Sequence, residues 1–274
     1  MKYGKLVRIP KIEDAEKCVK AAVDLGFNTC QLVYKPEKYD LSDAKIIADA
    51  CKKYDMEISA MFCGPHDTDT VWDIYWGYLT AGVNVEAYRF SRVQYIKEAT
   101  TFANELGIED VIIHAGFVPN NPFAPEYAVM CTSVYTLATH CKKYNMNLLF
   151  ETGGESPITL LRLIEDVGTG NLYINLDPAN ILVYGYGNPV DAIDVFGKYV
   201  RNIHGKDGCV PTNPREVGKE TPIGKGMVDF RTMLKKLHDI GYDRYITIER
   251  EGGDSIDDDV VSGRKYLEDI WNSF

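Results

Sequence analysis

The sequence predicts a single-domain α/β protein, a (β/α)8 TIM barrel in which eight parallel strands alternate with helices. Eight short runs rich in Ile, Leu, Val and Tyr recur along the chain, and amphipathic segments separate them. The length of 274 residues suits one such barrel, whose typical size is about 250 residues, better than two domains. We therefore expect one barrel domain over residues 1–274.

Each predicted strand is a short run of β-branched, aromatic or leucine residues followed by a turn signal. In chain order the runs are KLVRI (5–9), NTCQLVY (28–34), EISAMFC (57–63), DVIIHAG (110–116), NLLFE (147–151), LYINLD (172–177), VRNIH (200–204) and YITIE (245–249). Amphipathic helices are predicted between them, as over 14–26, 41–55, 85–107 and 230–241. Several of these end in Gly, which is common at helix C-caps. Strands separated by helices imply a parallel sheet, and eight units imply its closure.

Two segments interrupt the alternation. Residues 64–82 hold two of the three tryptophans, and residues 206–226 are rich in Pro and Gly without a helical period. Both follow a strand, so a barrel would place them on its catalytic face, where long loops usually act as lids or bind ligands. The alternative is that the aromatic residues of 72–78 only cover the barrel top or form an oligomer contact.

The composition restricts the function classes. A formal charge of -10 and an isoelectric point near 5.0 argue against nucleic acid as a partner, because such a surface needs clustered Lys and Arg. The chain lacks a run of about 18 apolar residues that could span a bilayer, so we expect no membrane partner. The N-terminal segment MKYGKLVRIPKIED also lacks the apolar region of a secretory signal. We therefore expect a cytoplasmic protein.

The seven cysteines are scattered without a CxxC pair. An odd number without paired spacing is typical of reduced thiols rather than of a disulfide framework, and it offers no zinc-ribbon site. We expect these cysteines to have structural roles.

The most informative residues are Glu151, Asp177, His204 and Glu249, each at the C-terminal end of a predicted strand. In a parallel barrel these ends converge on one face, where catalytic groups lie. A buried charge needs a partner, and one shared cation would serve all four residues. Carboxylates with one imidazole suit Mn²⁺ or Mg²⁺, with Co²⁺ and Zn²⁺ as alternatives. The other interpretation is four unrelated polar residues in solvent or helix-capping roles.

Five short motifs surround these residues. They are LLFET, INLDPAN, NIHGKD, PIGKGMVDF (222–230) and ITIERE. Across nearly the whole chain they resemble the xylose isomerase-like TIM barrel superfamily, which includes ketose 3-epimerases, L-xylulose 5-phosphate 3-epimerase and endonuclease IV. The resemblance implies one divalent metal ion, Mn²⁺ by preference, held by Glu151, Asp177, His204 and Glu249. It also implies that Glu151 and Glu249 form the catalytic pair, and that the protein forms a homodimer or homotetramer.

Two departures restrict the resemblance. The 3-epimerases that act on non-phosphorylated ketoses, and endonuclease IV, typically carry His three positions after the aspartate, where this chain has Asn180. Endonuclease IV also has an Asp-x-His pair beyond the seventh strand, whereas the only later histidine here is His238. We therefore expect one metal ion and no DNA cleavage. Asn180 and the patterns at 204–207 and 222–230 are similar to the sugar-phosphate epimerase branch, so free and phosphorylated sugars both stay candidates.

The implied activity is that of a sugar or sugar-phosphate isomerase or 3-epimerase in carbohydrate metabolism. A metal that chelates a carbonyl and its adjacent hydroxyl would stabilise an enediolate, and two carboxylates on opposite faces would move the proton on carbon. One alternative is a lyase that eliminates the aglycone of a 3-keto-glycoside at the same site. Another alternative is a sugar-binding barrel without turnover.

Further side chains of the predicted catalytic face are candidates for substrate binding. They are His66, His114, Asn180, Lys206, Arg250, Trp72 and Trp76, with Arg8 and Lys225 as weaker candidates. A structural histidine or a salt-bridged Lys or Arg is the alternative for each isolated residue. Asp207 is predicted to orient a neighbour, because metal-bound histidines usually need such a partner. The Gly-x-Gly at 224–226 is a weak phosphate motif, because it lacks the strand-turn-helix fingerprint.

Overall fold

Eight parallel strands form a closed barrel in the computed structural model, which describes residues 1–35, 40–64, 70–73 and 75–274. The barrel strands are β1 (Lys2–Arg8), β2 (Thr29–Tyr34), β3 (Glu57–Cys63), β4 (Asp110–Ile113), β5 (Asn147–Glu151), β6 (Leu172–Leu176), β7 (Val200–Gly205) and β10 (Tyr245–Ile248). A two-stranded sheet outside the barrel consists of β8 (Asp207–Cys209) and β9 (Lys219–Thr221). The barrel follows chain order, and β10 closes it against β1. The predicted fold, a single-domain (β/α)8 TIM barrel, is confirmed.

The α-helices connect these strands. They are α1 (Ala15–Asp24), α2 (Ala44–Lys53), α3 (Gly77–Thr80), α4 (Arg89–Glu105), α5 (Pro125–Lys142), α6 (Pro157–Val167), α7 (Pro178–Val183), α8 (Pro189–Phe196), α9 (Phe230–Asp239) and α10 (Ile256–Trp271). Helix α6 begins with Pro157, whose fixed φ suits the first helical position, and is capped by Gly168 at a left-handed φ of 60°. Its buried residues from Leu160 to Val167 recur at helical spacing, so one face packs against the rest of the protein. In the described part of the chain, no helix is long and apolar enough to cross a membrane.

Side chains fill the barrel interior in layers, because alternate residues of a strand point to the same side. One apolar layer consists of three fully buried side chains, Ala60, Ile112 and Leu149. Asn175, Asn202 and Thr247 are buried as well, and each lies two positions before one of the predicted metal ligands. The polar layer therefore lies directly beneath the ends of β6, β7 and β10.

The observed elements differ from the predicted ones mainly at their ends. The strand predicted over 110–116 ends at Ile113, and the helix predicted over 85–107 covers Arg89–Glu105. Residues 206–226, which show no helical period, contain the antiparallel hairpin of β8 and β9. Each of these strands has three residues, which is too short for a recognisable alternation of polar and apolar side chains.

The seven cysteines are all free thiols in the structure. Cys30, Cys51, Cys63 and Cys141 are buried. Burial raises the pKa of Cys51 and of Cys141 to about 11, so both thiols stay protonated at neutral pH. This environment fits the predicted structural role.

Candidate metal centre

Four buried side chains meet at the C-terminal end of the barrel. Glu151 is the last residue of β5, Asp177 and Glu249 directly follow β6 and β10, and His204 lies near the end of β7. One ligand atom from each residue lies within 4.8 Å of those of the other three. The structure thus brings together the four residues that the strand-end pattern singled out.

His204 lies at the centre of this cluster. Its Nδ1 atom is 2.9 Å from Oε2 of Glu249, 3.1 Å from Oε1 of Glu151 and 3.7 Å from Oδ2 of Asp177. None of the four residues is more than 6% exposed. Three carboxylates therefore surround one nitrogen in a place largely withdrawn from solvent.

Two carboxylate oxygens of the cluster are available as ligands for a cation. Oε2 of Glu151 and Oδ2 of Asp177 are buried and have no hydrogen-bond partner among the described residues. A buried charged oxygen that accepts no hydrogen bond is destabilising. A divalent cation held by Glu151, Asp177, His204 and Glu249 would satisfy both oxygens, and three carboxylates with one imidazole are suitable ligands for it.

The charges of the cluster stabilise one another. Burial opposes a charged imidazole, but Glu151 and Glu249 outweigh this effect and raise the pKa of His204 well above its usual value. Burial also opposes ionisation of Glu249, but Lys206 and His204 hold the pKa of Glu249 well below its usual range. A cation would compete with the Nδ1 proton of His204, so its binding should weaken at low pH.

Lys206 lies at the edge of the cluster, two residues after His204. Its Nζ atom is 3.3 Å from Oε2 of Glu249, 3.5 Å from Oδ2 of Asp177 and 3.6 Å from Oε2 of Glu251. Burial opposes the charge of Lys206, but Glu249, Asp177 and Glu251 raise its pKa well above the usual value. Lys206 is therefore a cation with three carboxylate neighbours.

Gln31 belongs to the site but was not among the predicted residues. Its Oε1 lies 2.8 Å from Nε2 of His204, and its Nε2 donates to Oδ1 of Asn175 at 3.1 Å. An amide oxygen only accepts, so Nε2 of His204 carries a hydrogen and Nδ1 is the nitrogen left for a metal. Register shifts occur at Gln31 in β2 and at Asn175 in β6, and such irregularities re-aim side chains near active sites. The only sequence feature that could have indicated this role is an amide side chain within the otherwise mostly apolar strand TCQLVY.

Replacing Gln31 with Leu should weaken metal binding without removing a ligand. His204 would lose the acceptor that fixes its ring, and loss of such a partner typically lowers metal affinity about 10–100-fold. Gln31→Glu keeps an acceptor and should retain the affinity. Calorimetric titration of Mn²⁺ into the metal-free variants, with circular dichroism as the folding control, measures this. Equal affinity in Gln31→Leu and the wild type would contradict the role of Gln31.

Asp177 is fixed through its neighbours. Its Oδ1 accepts the backbone N–H of Asn180 at 2.9 Å, which caps α7, and its carbonyl oxygen accepts the hydroxyl of Thr152 at 2.7 Å. The side chain of Asn180 donates to Oε1 of Glu151 at 3.3 Å and to the carbonyl oxygen of Thr152 at 3.1 Å. Asn180, a candidate for substrate binding, thus orients two carboxylates of the cluster.

Aromatic side chains adjoin the cluster. Nε2 of His114 is 3.6 Å from Oε2 of Glu151, and the ring of Trp72 packs on His114 with 4.5 Å between centroids. The ring centroids of Phe117 and Tyr184 lie 6.2 Å and 6.4 Å from the ring centroid of Trp72. We call Trp72, His114, Phe117 and Tyr184 the aromatic wall. The structure therefore puts the predicted residues Trp72 and His114 beside the cluster.

Three other candidates for substrate binding, Arg250, Trp76 and His66, are not among the residues that contact the cluster in the described structure. Nη1 of Arg250 is 2.6 Å from Oε1 of Glu220, and its Nε is 2.9 Å from Oδ2 of Asp259. Trp76 is 59% exposed. His66 lies outside the described residues.

Asp207 does not orient His204, contrary to the prediction. Its carboxylate accepts four backbone N–H groups at 2.8–3.1 Å, those of Gly208, Gly224, Gly226 and Val228. A Cβ atom at position 226 would lie 2.2 Å from Oδ1 of Asp207, so only glycine fits there. The Gly-x-Gly at 224–226 therefore wraps a carboxylate of the protein itself, and the imidazole is oriented by Gln31.

Comparison with known proteins identifies the family. Residues 19–270 match the family described as xylose isomerase-like TIM barrel. This chain belongs to that family. The resemblance seen in the motifs is confirmed, and the matched segment includes all four residues of the cluster.

Several known proteins are similar to this chain in sequence or in structure. The crystal structure of a xylose isomerase domain protein from Planctomyces limnophilus is 31% identical, covers 99% of this chain and 97% of its own, and has a TM-score of 0.89. An uncharacterized protein of Methanocaldococcus jannaschii is 26% identical over 92% of this chain and 93% of its own length. The crystal structure of a D-tagatose 3-epimerase-like protein is 19% identical, covers 100% of this chain and 98% of its own, and has a TM-score of 0.74. The crystal structure of the 3-keto-D-glucoside 4-epimerase of E. coli is 13% identical, covers 98% of this chain and 99% of its own, and has a TM-score of 0.72.

This xylose isomerase-like barrel holds a further buried acid near the cluster. Glu155 is 4% exposed, and its Oε1 accepts the N–H of Gly153 at 3.2 Å. Burial, with a smaller effect of Glu151, raises the pKa of Glu155 to about 8. Glu155 is therefore mostly protonated at neutral pH. It lies in a glycine-containing loop after β5, where no strand or helix pattern indicates burial.

Glu155 should make the stability of the metal-free protein depend on pH. The unfolded chain loses this proton near pH 4.5 and the folded protein near pH 8, so the protonated acid stabilises the fold fully below pH 4.5 and progressively less up to pH 8. From pH 6 to pH 8 the loss should be about 2–3 kcal/mol. Urea unfolding of wild type and Glu155→Gln across this range measures it. A constant difference between the two proteins would contradict the prediction.

Proposed function

We propose that this protein is a divalent-metal-dependent isomerase or 3-epimerase that acts on a small sugar. The observation that carries the proposal is the approach of Glu151 and Glu249 to the same atom, Nδ1 of His204, from different strands. In the barrel, β6 and β7 separate β5 from β10, so the two carboxylates reach the cluster from different directions. This arrangement suits removal of a proton from one face of a carbon and its return to the other face.

A divalent cation, when bound, would polarise a substrate carbonyl and acidify the proton on the neighbouring carbon. Lys206 and His204 hold the pKa of Glu249 well below its usual range, so Glu249 is ionised, which is the charge state that a base requires. Glu151, once it has taken up a proton from water, would donate that proton to the opposite face, which inverts the carbon and leaves Glu249 protonated and Glu151 ionised. Return to the neighbouring carbon, with a proton relay between hydroxyl groups, would isomerise the sugar instead.

Other residues would bind the substrate. His114 and Lys206 each lie within 3.6 Å of a carboxylate of the cluster and could hydrogen-bond to hydroxyl groups beside the reacting carbon. The ring of Trp72 would pack against the apolar face of a sugar. The buried and protonated Glu155 lies in the loop that follows Glu151, and it would help to keep this side of the site free of additional negative charge.

Sugar chemistry is also supported by relatives, because barrels with TM-scores above 0.7 include a D-tagatose 3-epimerase-like protein and a 3-keto-D-glucoside 4-epimerase. We propose Mn²⁺ as the bound ion, with Mg²⁺, Co²⁺ and Zn²⁺ as alternatives. A cytoplasmic homodimer or homotetramer stays our proposal for its location and assembly.

The aromatic wall favours a second candidate function. A 3-keto-glycoside could place an aromatic aglycone against Trp72, and the carboxylate that removes the proton next to the ketone would then start elimination of the aglycone. An epimerase returns the proton to carbon, whereas a lyase releases the aglycone. Chromatography of the reaction products from 3-keto-glycosides therefore distinguishes the two candidates.

Deuterium uptake from D₂O tests the proposal. The Mn²⁺-loaded protein and an EDTA-treated control would be incubated with a pool of ketoses, ketose phosphates and 3-keto-glycosides, and masses would be recorded. We expect one compound to gain one mass unit at carbon, or to lose its aglycone, only with the loaded protein. Uptake in neither sample, with metal bound and every compound present at millimolar concentration, would count against proton chemistry and favour a sugar-binding barrel.

A further inference from the structure

We infer that the site takes an uncharged sugar or polyol ketone and excludes the corresponding phosphate esters, because carboxylates of the protein already occupy the groups that would bind a phosphate. The inference rests on the proposed function, since it concerns the substrate of the same site. Three observations carry it, and they concern backbone amides, an arginine and the charges at the cluster.

The first observation concerns the backbone amides of the loop after β7. TIM barrels that bind phosphate frequently do so with the loops after their seventh and eighth strands. In this protein, four N–H groups of that region, including those of Gly224 and Gly226, converge on the carboxylate of Asp207 at 2.8–3.1 Å. Asp207 is 1% exposed, so an external anion would have to displace a buried carboxylate. These amides are therefore not free to bind phosphate.

The second observation concerns Arg250, the cation that follows Glu249 in the sequence. Glu220 in β9 contacts its Nη1 at 2.6 Å, and Asp259 contacts its Nε at 2.9 Å. Glu220 also accepts the backbone N–H of Glu251 at 3.1 Å. A guanidinium between two carboxylates has little remaining attraction for phosphate, so Glu220 would act as a specificity-determining residue.

The third observation is the balance of charge at the cluster. The carboxylates of Glu151, Asp177, Glu249 and Glu251 provide four negative charges. Lys206 lies among them, and Nη2 of Arg8 is 3.6 Å from Oε1 of Glu249. Together with one divalent metal ion, if bound as proposed, these two cations would provide four positive charges. A phosphate ester would add about -1.5 to -2 charges without a counter-charge. A neutral substrate leaves the balance intact.

The test compares each sugar with its own phosphate ester. Rates of deuterium uptake would be measured with Mn²⁺-loaded protein for D-fructose and D-fructose 6-phosphate, and for D-xylulose and D-xylulose 5-phosphate. We expect kcat/KM for exchange to be at least about tenfold higher for a free ketose than for its ester. A higher kcat/KM for either ester would overturn the inference while supporting the proposed proton chemistry.

Two variants test the role of Glu220. Glu220→Gln keeps the shape and an acceptor but removes one charge beside Arg250, so the preference for the free ketose should fall about tenfold. Glu216→Gln removes the same charge at an exposed position between β8 and β9 and should leave the preference unchanged. An unchanged preference in Glu220→Gln would overturn the role of Glu220.

Direct binding separates the two proposals if no ketose exchanges. In that case the proposed activity on ketoses fails, and calorimetry of the same pairs with the Mn²⁺-loaded protein decides about the charge of the ligand. Binding of a free ketose that is at least about tenfold tighter than binding of its ester would uphold the inference. Tighter binding of an ester, or no binding of any compound, would overturn it.

Discussion

Glu249→Gln should abolish net conversion of the substrate while the barrel stays folded. The substitution is nearly isosteric and keeps an oxygen that can accept hydrogen bonds, but an amide cannot accept the proton from carbon. Removal of a positioned acid or base typically costs about 10²–10⁴-fold in rate. Epimerisation followed by chromatography, at saturating Mn²⁺ and with metal content measured, gives the loss. Full activity in this variant would rule out the two-base mechanism.

A reciprocal pattern of exchange distinguishes loss of a base from general damage. If Glu151 and Glu249 serve opposite faces of the carbon, each single variant should still exchange deuterium into the epimer whose proton faces the remaining carboxylate. Glu151→Gln and Glu249→Gln should therefore retain exchange with opposite epimers. Glu105→Gln, at an exposed position of α4, serves as the matched control and should behave like the wild type.

Asp177→Asn should abolish most of the affinity for a divalent cation. The variant loses the charge of Oδ2, which has no hydrogen-bond partner among the described residues, but it keeps the cap of α7, since Asn is as good an N-cap as Asp. Outer partners alone contribute about 10–100-fold to metal affinity, so loss of a ligand charge should cost at least about 100-fold. Titration of Mn²⁺ into metal-free protein measures this change.

Thermal stability provides a second measurement of the same change. At a Mn²⁺ concentration 100 times the wild-type Kd, the metal should stabilise the wild type by about 2.7 kcal/mol, and a variant with 100-fold weaker affinity by about 0.4 kcal/mol. Asp191→Asn, an exposed position in α8, should keep the full effect. Equal stabilisation of Asp177→Asn and the wild type would show that Asp177 is not a ligand.

The strand-end residues were predictable because one simple rule positions them. Parallel strands of a barrel end on one face, so Glu151, Asp177, His204 and Glu249 converge whatever the details of the loops. Beyond the strand ends, Lys206 contacts Glu249 of the cluster, whereas Arg250 pairs with Glu220.

Residues whose positions depend on tertiary contacts could not be predicted in this way. Gln31 is distant in sequence from His204 and meets it across the barrel, so neither local motif indicates the contact. Asp207 lies three residues from His204, but the chain has left the barrel there and folds β8 against β9. Glu155 is buried by the packing of a loop that lacks a periodic pattern. Sequence periodicity indicates which side of a strand a side chain faces, but it does not indicate which distant residue that side chain contacts.

A crystal structure of the protein soaked with Mn²⁺, with anomalous scattering recorded, tests the central claim most directly. We predict one ion, about 2.0–2.3 Å from oxygens of Glu151, Asp177 and Glu249 and from Nδ1 of His204. Nε2 of His204 should still donate to Gln31. An ion bound elsewhere, coordination through Nε2, or no ion at saturating Mn²⁺ would contradict the account.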